Sequence, residues 1–124
     1  MTELIIFFLL LVKHAIIDLA LQTQLLWGRA HEKNNYFGGH QHYFHHAVGT
    51  FLVCIWFLDL SMTCLLTVLD YIAHWHIDFF KHFINLRLKV YSKKNILWWW
   101  TATIDQILHF LTYLLMILYV ISKA

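Results

Sequence analysis

Each of four largely apolar stretches of this chain holds a pair of ionisable side chains four positions apart: His14 and Asp18, His42 and His46, His74 and Asp78, Asp105 and His109. Residues at i and i+4 share one face of an α-helix. Four helices can therefore each aim two polar groups in a single direction. An ionisable group in lipid costs roughly 2.5–3.5 kcal/mol on insertion scales, and an unpaired charge inside protein is also expensive. Eight such groups scattered over apolar surfaces would be prohibitive. The pattern demands a fold in which four helices turn these faces toward one another.

Composition sets the medium. The chain has 124 residues, of which 60% are hydrophobic, 18% aromatic and 13% charged, with no proline. Soluble domains carry about 25% charged residues. The balance reads as a polytopic membrane protein: an all-α, four-helix transmembrane bundle with an inward-facing His/Asp polar site, one integral-membrane domain over residues 1–124. A compact soluble helical bundle is the competing reading. Since a bilayer core takes about 20 mostly apolar residues per helix, the spans are placed at about 4–27, 40–58, 61–84 and 96–121. The start lacks a basic segment and a small-residue cleavage site, so the first span is expected to be retained.

The loops then orient the bundle. The first and third carry Arg29, Lys33, Arg87, Lys89, Lys93 and Lys94, and the opposite side carries Lys123. The positive-inside rule puts those two loops in the cytoplasm and both termini outside, in the inner membrane. Trp27 and Trp98 to Trp100 fall where interfacial anchors sit. Cys54 and Cys64 form no C-x-x-C motif and read as packing residues. No nucleic-acid partner is expected; the expected partners are membrane lipids and a lipid or amphiphilic substrate.

The turns between helices set the depth of the four pairs. A turn at Asp59 brings His42 and His46 level with residues 76 and 72. A turn near Val90 brings Asp105 level with Trp75, and His109 with Tyr71. His14 and Asp18 lie somewhat past the middle of the first helix, so all eight fall in one layer of the cytoplasmic half. Imidazole and carboxylate together suit zinc, iron or manganese, and bundle cores are established places for two-metal sites. The expected cofactor is one or two divalent transition-metal ions held by His14, Asp18, His42, His46, His74, Asp78, Asp105 and His109. His45 is the alternative to His42, and a metal-free hydrogen-bonded polar core is the alternative to the whole site.

Other polar residues extend the pattern. Gln22 and Asp70 continue the polar faces of helices 1 and 3 by one turn, behind the ligands. Gln106 adjoins Asp105 and can orient a ligand or a water. Lys13 is level with Asp70, and an inward ion pair between them is one of two readings. Lys81 could meet an anionic substrate group or snorkel to the interface; snorkelling is the expectation. His31, His40 and His82 are expected at the interface.

"HYFHH" (42–46) resembles the His-x-x-His-His box of membrane fatty-acid desaturases and hydroxylases, which hold two irons. Over most of the chain, "HAIIDLALQ", "HHAV", "HWHIDFFK" and "DQILH" resemble the signatures of a family of small bacterial and phage membrane proteins of unknown function, DUF3307. That resemblance implies a membrane location and a shared polar site, with His14, Asp18, His46, His74, Asp78, Lys81, Asp105, Gln106 and His109 on motif positions. A looser likeness to membrane-bound metal-dependent hydrolases points to hydrolysis of a lipid or another amphiphile, including phosphoesters. An oxygenase of the desaturase type is the second expectation. A metal or proton carrier, or a phage-type membrane effector, is the third.

Overall fold

The computed structural model describes residues 1–20 and 36–124, all helix and turn with no strand among them. Helix α1 spans Thr2–Ala15 and widens into a π-helical turn at Ile16–Ala20. Helix α2 spans His40–Cys54, α3 Leu60–Arg87 and α4 Ile96–Lys123. Each helix packs on two others, α1 on α2 and α4, α3 on α2 and α4. The four thus close a ring in chain order.

Local chemistry sets the ends. Gly39 begins α2 with φ 77°, a left-handed conformation that glycine adopts without a Cβ clash. Asp59 starts α3 by accepting the Met62 N–H at 2.9 Å, and Asn95 starts α4 by accepting that of Leu97 at 3.0 Å. Both are N-caps that satisfy an otherwise orphaned backbone donor. At the other end of α3, Lys89 turns left-handed at φ 56°. The Val90 N–H then bonds the Asn85 carbonyl at 2.8 Å, the pattern by which helices commonly close.

Three boundaries differ from the sequence reading. Helix α2 ends at Cys54 rather than 58, because Phe57 and Leu58 both turn their N–H groups back to the Cys54 carbonyl. Helix α3 runs three residues further, to Arg87. This moves the α3–α4 turn outward and slides α4 along α3, so His109 meets Asp78 and His74 instead of Tyr71. The third difference concerns α1, whose regular helix stops at Ala15; the remainder of the expected span, 21–27, lies outside the described residues.

Among the described residues, α4 is the one helix long and apolar enough to cross a membrane. The expectation of four spans is therefore met only as four helices. Helix α2 has 15 residues, short of the ~20 a bilayer core requires. Helix α3 has 28, but the polar residues that build the site interrupt its apolar run.

The interior has two halves. Ile6, Leu10, Cys54, Leu66, Tyr113, Met116, Ile117 and Val120 form an apolar core around the α2–α3 turn, the start of α1 and the end of α4. Beyond it the buried residues are mostly polar: Lys13, His14, His42, His46, Thr50, Asp70, His74, Asp78, Asp105 and His109. The outside is the reverse. Leu4, Phe8, Leu65, Val68, Ile104, Ile107, Leu111 and Leu115 are all exposed.

Gly49 sets how closely α1 approaches α2. A Cβ there would stand 3.0 Å from Ile17 Cδ1 and 3.1 Å from Lys13 Cδ. Gly49→Ala is expected to push Lys13 off its seat and to destabilise the bundle by about 1–3 kcal/mol, the usual range for overpacking. An unfolding midpoint in detergent equal to wild type would contradict this close approach.

Candidate metal centre

The eight residues singled out by spacing converge in one connected cluster. The π-helical turn contains Asp18, the residue most entangled in it; such turns are frequent at functional sites. Asp18 Oδ2 lies 3.0 Å from His14 Nε2, and Asp18 Oδ1 lies 2.9 Å from His46 Nε2 and 3.5 Å from His42 Nε2. His42 Nε2 also reaches Asp78 Oδ2 at 3.3 Å. The other oxygen of Asp78 lies 2.9 Å from His109 Nε2, which is 3.5 Å from Asp105 Oδ1. The His74 ring stacks between His46 and His109, with centroids 3.9 and 4.1 Å away. Its Nε2 is 3.2 Å from His14 Nδ1. Seven of the eight are buried, and Asp18 is partly exposed.

Three groups within this cluster bring their ligand atoms within 4.8 Å of one another: His14, His46 and His74; Asp18, His42 and His46; Asp78, Asp105 and His109. The 3.2 Å between His14 Nδ1 and His74 Nε2 suits two nitrogens on one tetrahedral ion, since bonds of about 2.0–2.1 Å give an edge near 3.3 Å. Among the described residues five buried side-chain atoms have no hydrogen-bond partner, a rare condition; Thr63 Oγ1 and Asn85 Oδ1 lie elsewhere, and the other three, His46 Nδ1, His109 Nδ1 and Asp105 Oδ1, belong to this donor set.

A charged anchor lies behind His74. Asp70 Oδ1 accepts from His74 Nδ1 at 2.7 Å, and Lys13 Nζ donates to Asp70 Oδ2 at 2.7 Å and to the His46 carbonyl at 3.0 Å. The Thr50 hydroxyl donates to Asp70 as well. The carboxylate holds the proton of His74 on Nδ1 and leaves Nε2 with its lone pair toward the cluster, the arrangement that orients metal-binding histidines. Asp70 thus sits behind the donors, as its spacing suggests, and the Lys13–Asp70 pair is present.

The remaining sequence expectations divide. Gln106 donates to Asp105 Oδ2 at 3.1 Å and to Asp18 Oδ2 at 3.4 Å, and its Oε1 lies 3.2 Å from His14 Nε2. Lys81 corrects the snorkelling expectation. It turns inward, its Nζ 3.3 Å from Asp105 Oδ2. His42 is the buried member of its pair of alternatives, while His45 is half-buried in a groove between α1 and α2. His40 packs on Tyr71 and Trp75 at the edge of the cluster. Cys54 and Cys64 are free, the first buried and the second exposed. Gln22, Trp27, Arg29, His31 and Lys33 lie outside the described residues.

Two members were missed. The Tyr113 hydroxyl lies 3.0 Å from His14 Nδ1 and 3.5 Å from His74 Nε2. Thr50 completes the Asp70 anchor. Each continues an i, i+4 series by one step, Tyr113 after His109 and Thr50 after His46. That signal was available, but Thr and Tyr are ordinary in apolar helices.

No curated protein and no solved structure matches the chain, so the hydrolase and desaturase likenesses of the sequence gain no support from a relative. A family model described as "Protein of unknown function (DUF3307)" matches residues 6–124. That span takes in the whole His/Asp cluster with the Lys13–Asp70 anchor, and the chain belongs to the DUF3307 family.

Proposed function

We propose that this chain is an integral membrane metalloprotein that hydrolyses a lipid or another amphiphile, such as a phosphoester, at the cytoplasmic leaflet. The observation that carries the reading is the buried donor cluster and its charge. Of four carboxylates, Asp70 and Asp105 pair with the ammonium groups of Lys13 and Lys81, while Asp18 and Asp78 pair with imidazoles. Unless histidines such as His109, which lies between Asp78 and Asp105, carry the balancing protons, two of the four negative charges stay uncompensated in a weakly polar interior. A dication balances them. The unpartnered nitrogens and carboxylate oxygen supply open positions for it.

The apolar exterior supports the membrane part. Soluble monomers rarely expose contiguous apolar patches above a few hundred Å², yet here all four helices present large aliphatic and aromatic side chains outward. In lipid that surface carries no penalty. The basic α3–α4 connection, with Arg87, Lys89, Lys93 and Lys94, belongs on the cytoplasmic side by the positive-inside rule. A cysteine introduced at Ser92 should label only after permeabilisation; labelling of intact cells from the periplasm would reverse the topology.

Bound zinc or manganese would lower the pKa of a water and stabilise a developing oxyanion. The chain's own groups hold the rest. Asp70 and Lys13 fix the His74 tautomer. Gln106 steadies Asp18 and Asp105 from one amide. The Tyr113 hydroxyl stands beside His14 Nδ1 and His74 Nε2, where it can hydrogen-bond a water held there. No serine or cysteine stands beside a base in the cluster, which favours attack by water over attack by a side chain.

Five imidazoles and three carboxylates also suit iron, and the desaturase-like box contributes His42 and His46. The test must therefore separate the two chemistries. An anaerobic screen of lipid esters and phosphoesters with added zinc or manganese is expected to show turnover. Turnover that requires oxygen, ferrous iron and an electron donor would replace the hydrolase with an oxygenase.

A further inference from the structure

A groove of about 240 Å³ runs between α3 and α4. Its walls are apolar, formed by Phe80 and Ile84 from α3 and Ile104 and Leu108 from α4, and Lys81 and Asp105 also line it. Asp105 is buried and belongs to the Asp78–Asp105–His109 donor group. Lys81 is about one-third exposed, with its Nζ 3.3 Å from Asp105. The groove therefore joins the apolar exterior to the metal-type donors, with a cation at the junction. The groove between α1 and α2 differs. Its cation, Lys13, is buried and bound to Asp70 at 2.7 Å.

We infer that the α3–α4 groove is the binding slot for an alkyl- or acyl-chain phosphate ester, its chain lying along Phe80, Ile84, Ile104 and Leu108 and its phosphate meeting Lys81. The two parts of the groove match the two parts of such a molecule. Apart from His76 and Thr101, the walls offer an apolar chain hydrocarbon contact, and Lys81 is a point charge of the kind that binds phosphate. An uncharged amphiphile would leave Lys81 without a role in recognition. A free phosphate would leave the walls without one. The assignment rests on the metal reading above. Asp78 and Asp105 would repel an anion unless a cation between them and His109 reversed the local charge. Lys81 can then exchange its long contact with Asp105 for a shorter one with the phosphate.

The test uses the metal-loaded protein in a neutral detergent and native mass spectrometry. Phosphatidic acid and diacylglycerol with the same chains are compared as ligands, with inorganic phosphate as competitor. Phosphatidic acid is expected to be retained about tenfold more tightly than diacylglycerol, with inorganic phosphate unable to displace it. Lys81→Met should remove the preference for the charged head, and Lys81→Arg should keep it. Ile104→Trp, which fills the groove, should weaken both lipids while metal content stays at the wild-type level. Equal retention of the two lipids, displacement by inorganic phosphate alone, a preference that survives Lys81→Met, or wild-type retention of both lipids by Ile104→Trp would overturn the slot. Failure of the hydrolase reading looks different: phosphatidic acid is preferred by the metal-loaded protein but never turned over.

Discussion

Lys13→Met is expected to destabilise the bundle by about 3–5 kcal/mol, the range for removing one partner of a buried ion pair. Asp70 has no solvent exposure. Its Oδ2 depends on Lys13 and Thr50, and its Oδ1 on His74. Without the ammonium, a carboxylate remains in the interior with two neutral donors, and the His46 carbonyl loses the Lys13 donor. The double variant Lys13→Met with Asp70→Asn should recover most of the loss, because it removes both charges and keeps the shape. Metal affinity should not recover with it. A neutral amide in place of the Asp70 carboxylate orients His74 less firmly, and partners behind a metal-binding histidine are typically worth 10–100-fold in affinity. Unfolding midpoints and metal competition on the three proteins separate the two effects. A single variant within about 1 kcal/mol of wild type, the scale of exposed pairs, would mean the pair is not buried as described.

Asp78→Asn should have the largest effect on activity. Asp78 bridges α2 and α4 from α3, with one oxygen 3.3 Å from His42 and the other 2.9 Å from His109. An amide keeps the volume but removes one negative charge and turns an N–H₂ toward one of the two imidazoles. Turnover is expected to fall by more than about a hundredfold, beyond the loss typical for groups that only orient a ligand. Folding should persist, because the apolar half of the core is far from this change. Tyr113→Phe offers the contrast. It removes one hydroxyl at 3.0 Å from His14 and should slow turnover without releasing metal. An Asp78→Asn protein with wild-type turnover would remove Asp78 from the machinery.

The site was more legible in the sequence than the fold around it. Helical period alone groups His14 with Asp18, and Asp105 with His109, because i, i+4 neighbours stay on one face whatever the helix packs against. Counting from the α2–α3 turn placed His42 and His46 beside α3 nearly as found, since that turn is short and capped by Asp59. The α3–α4 register differs by roughly a helical turn because α3 ends at Arg87 with a left-handed lysine, Lys89, in place of the glycine that would mark a helix end. The π-helical turn at Asp18 left no mark in composition. The site itself lowers the apolar character by which a span is recognised. Asp70, His74, Asp78 and Lys81 lower the apolar character of α3 because they face inward, while Leu65, Val68, Leu69, Ile72 and Phe80 cover its outside. A linear average cannot distinguish a polar face turned inward from a polar helix.

The central claim is that the cluster between His14 and His109 holds metal. Its most direct test is elemental analysis of the wild-type chain, purified in mild detergent without chelators from cells supplied with zinc, iron and manganese. One or two transition-metal ions per chain are expected, with the content lowered by His109→Ala. A well-folded wild-type protein that carries no stoichiometric metal under those conditions would contradict the account and leave the cluster as a hydrogen-bonded polar core.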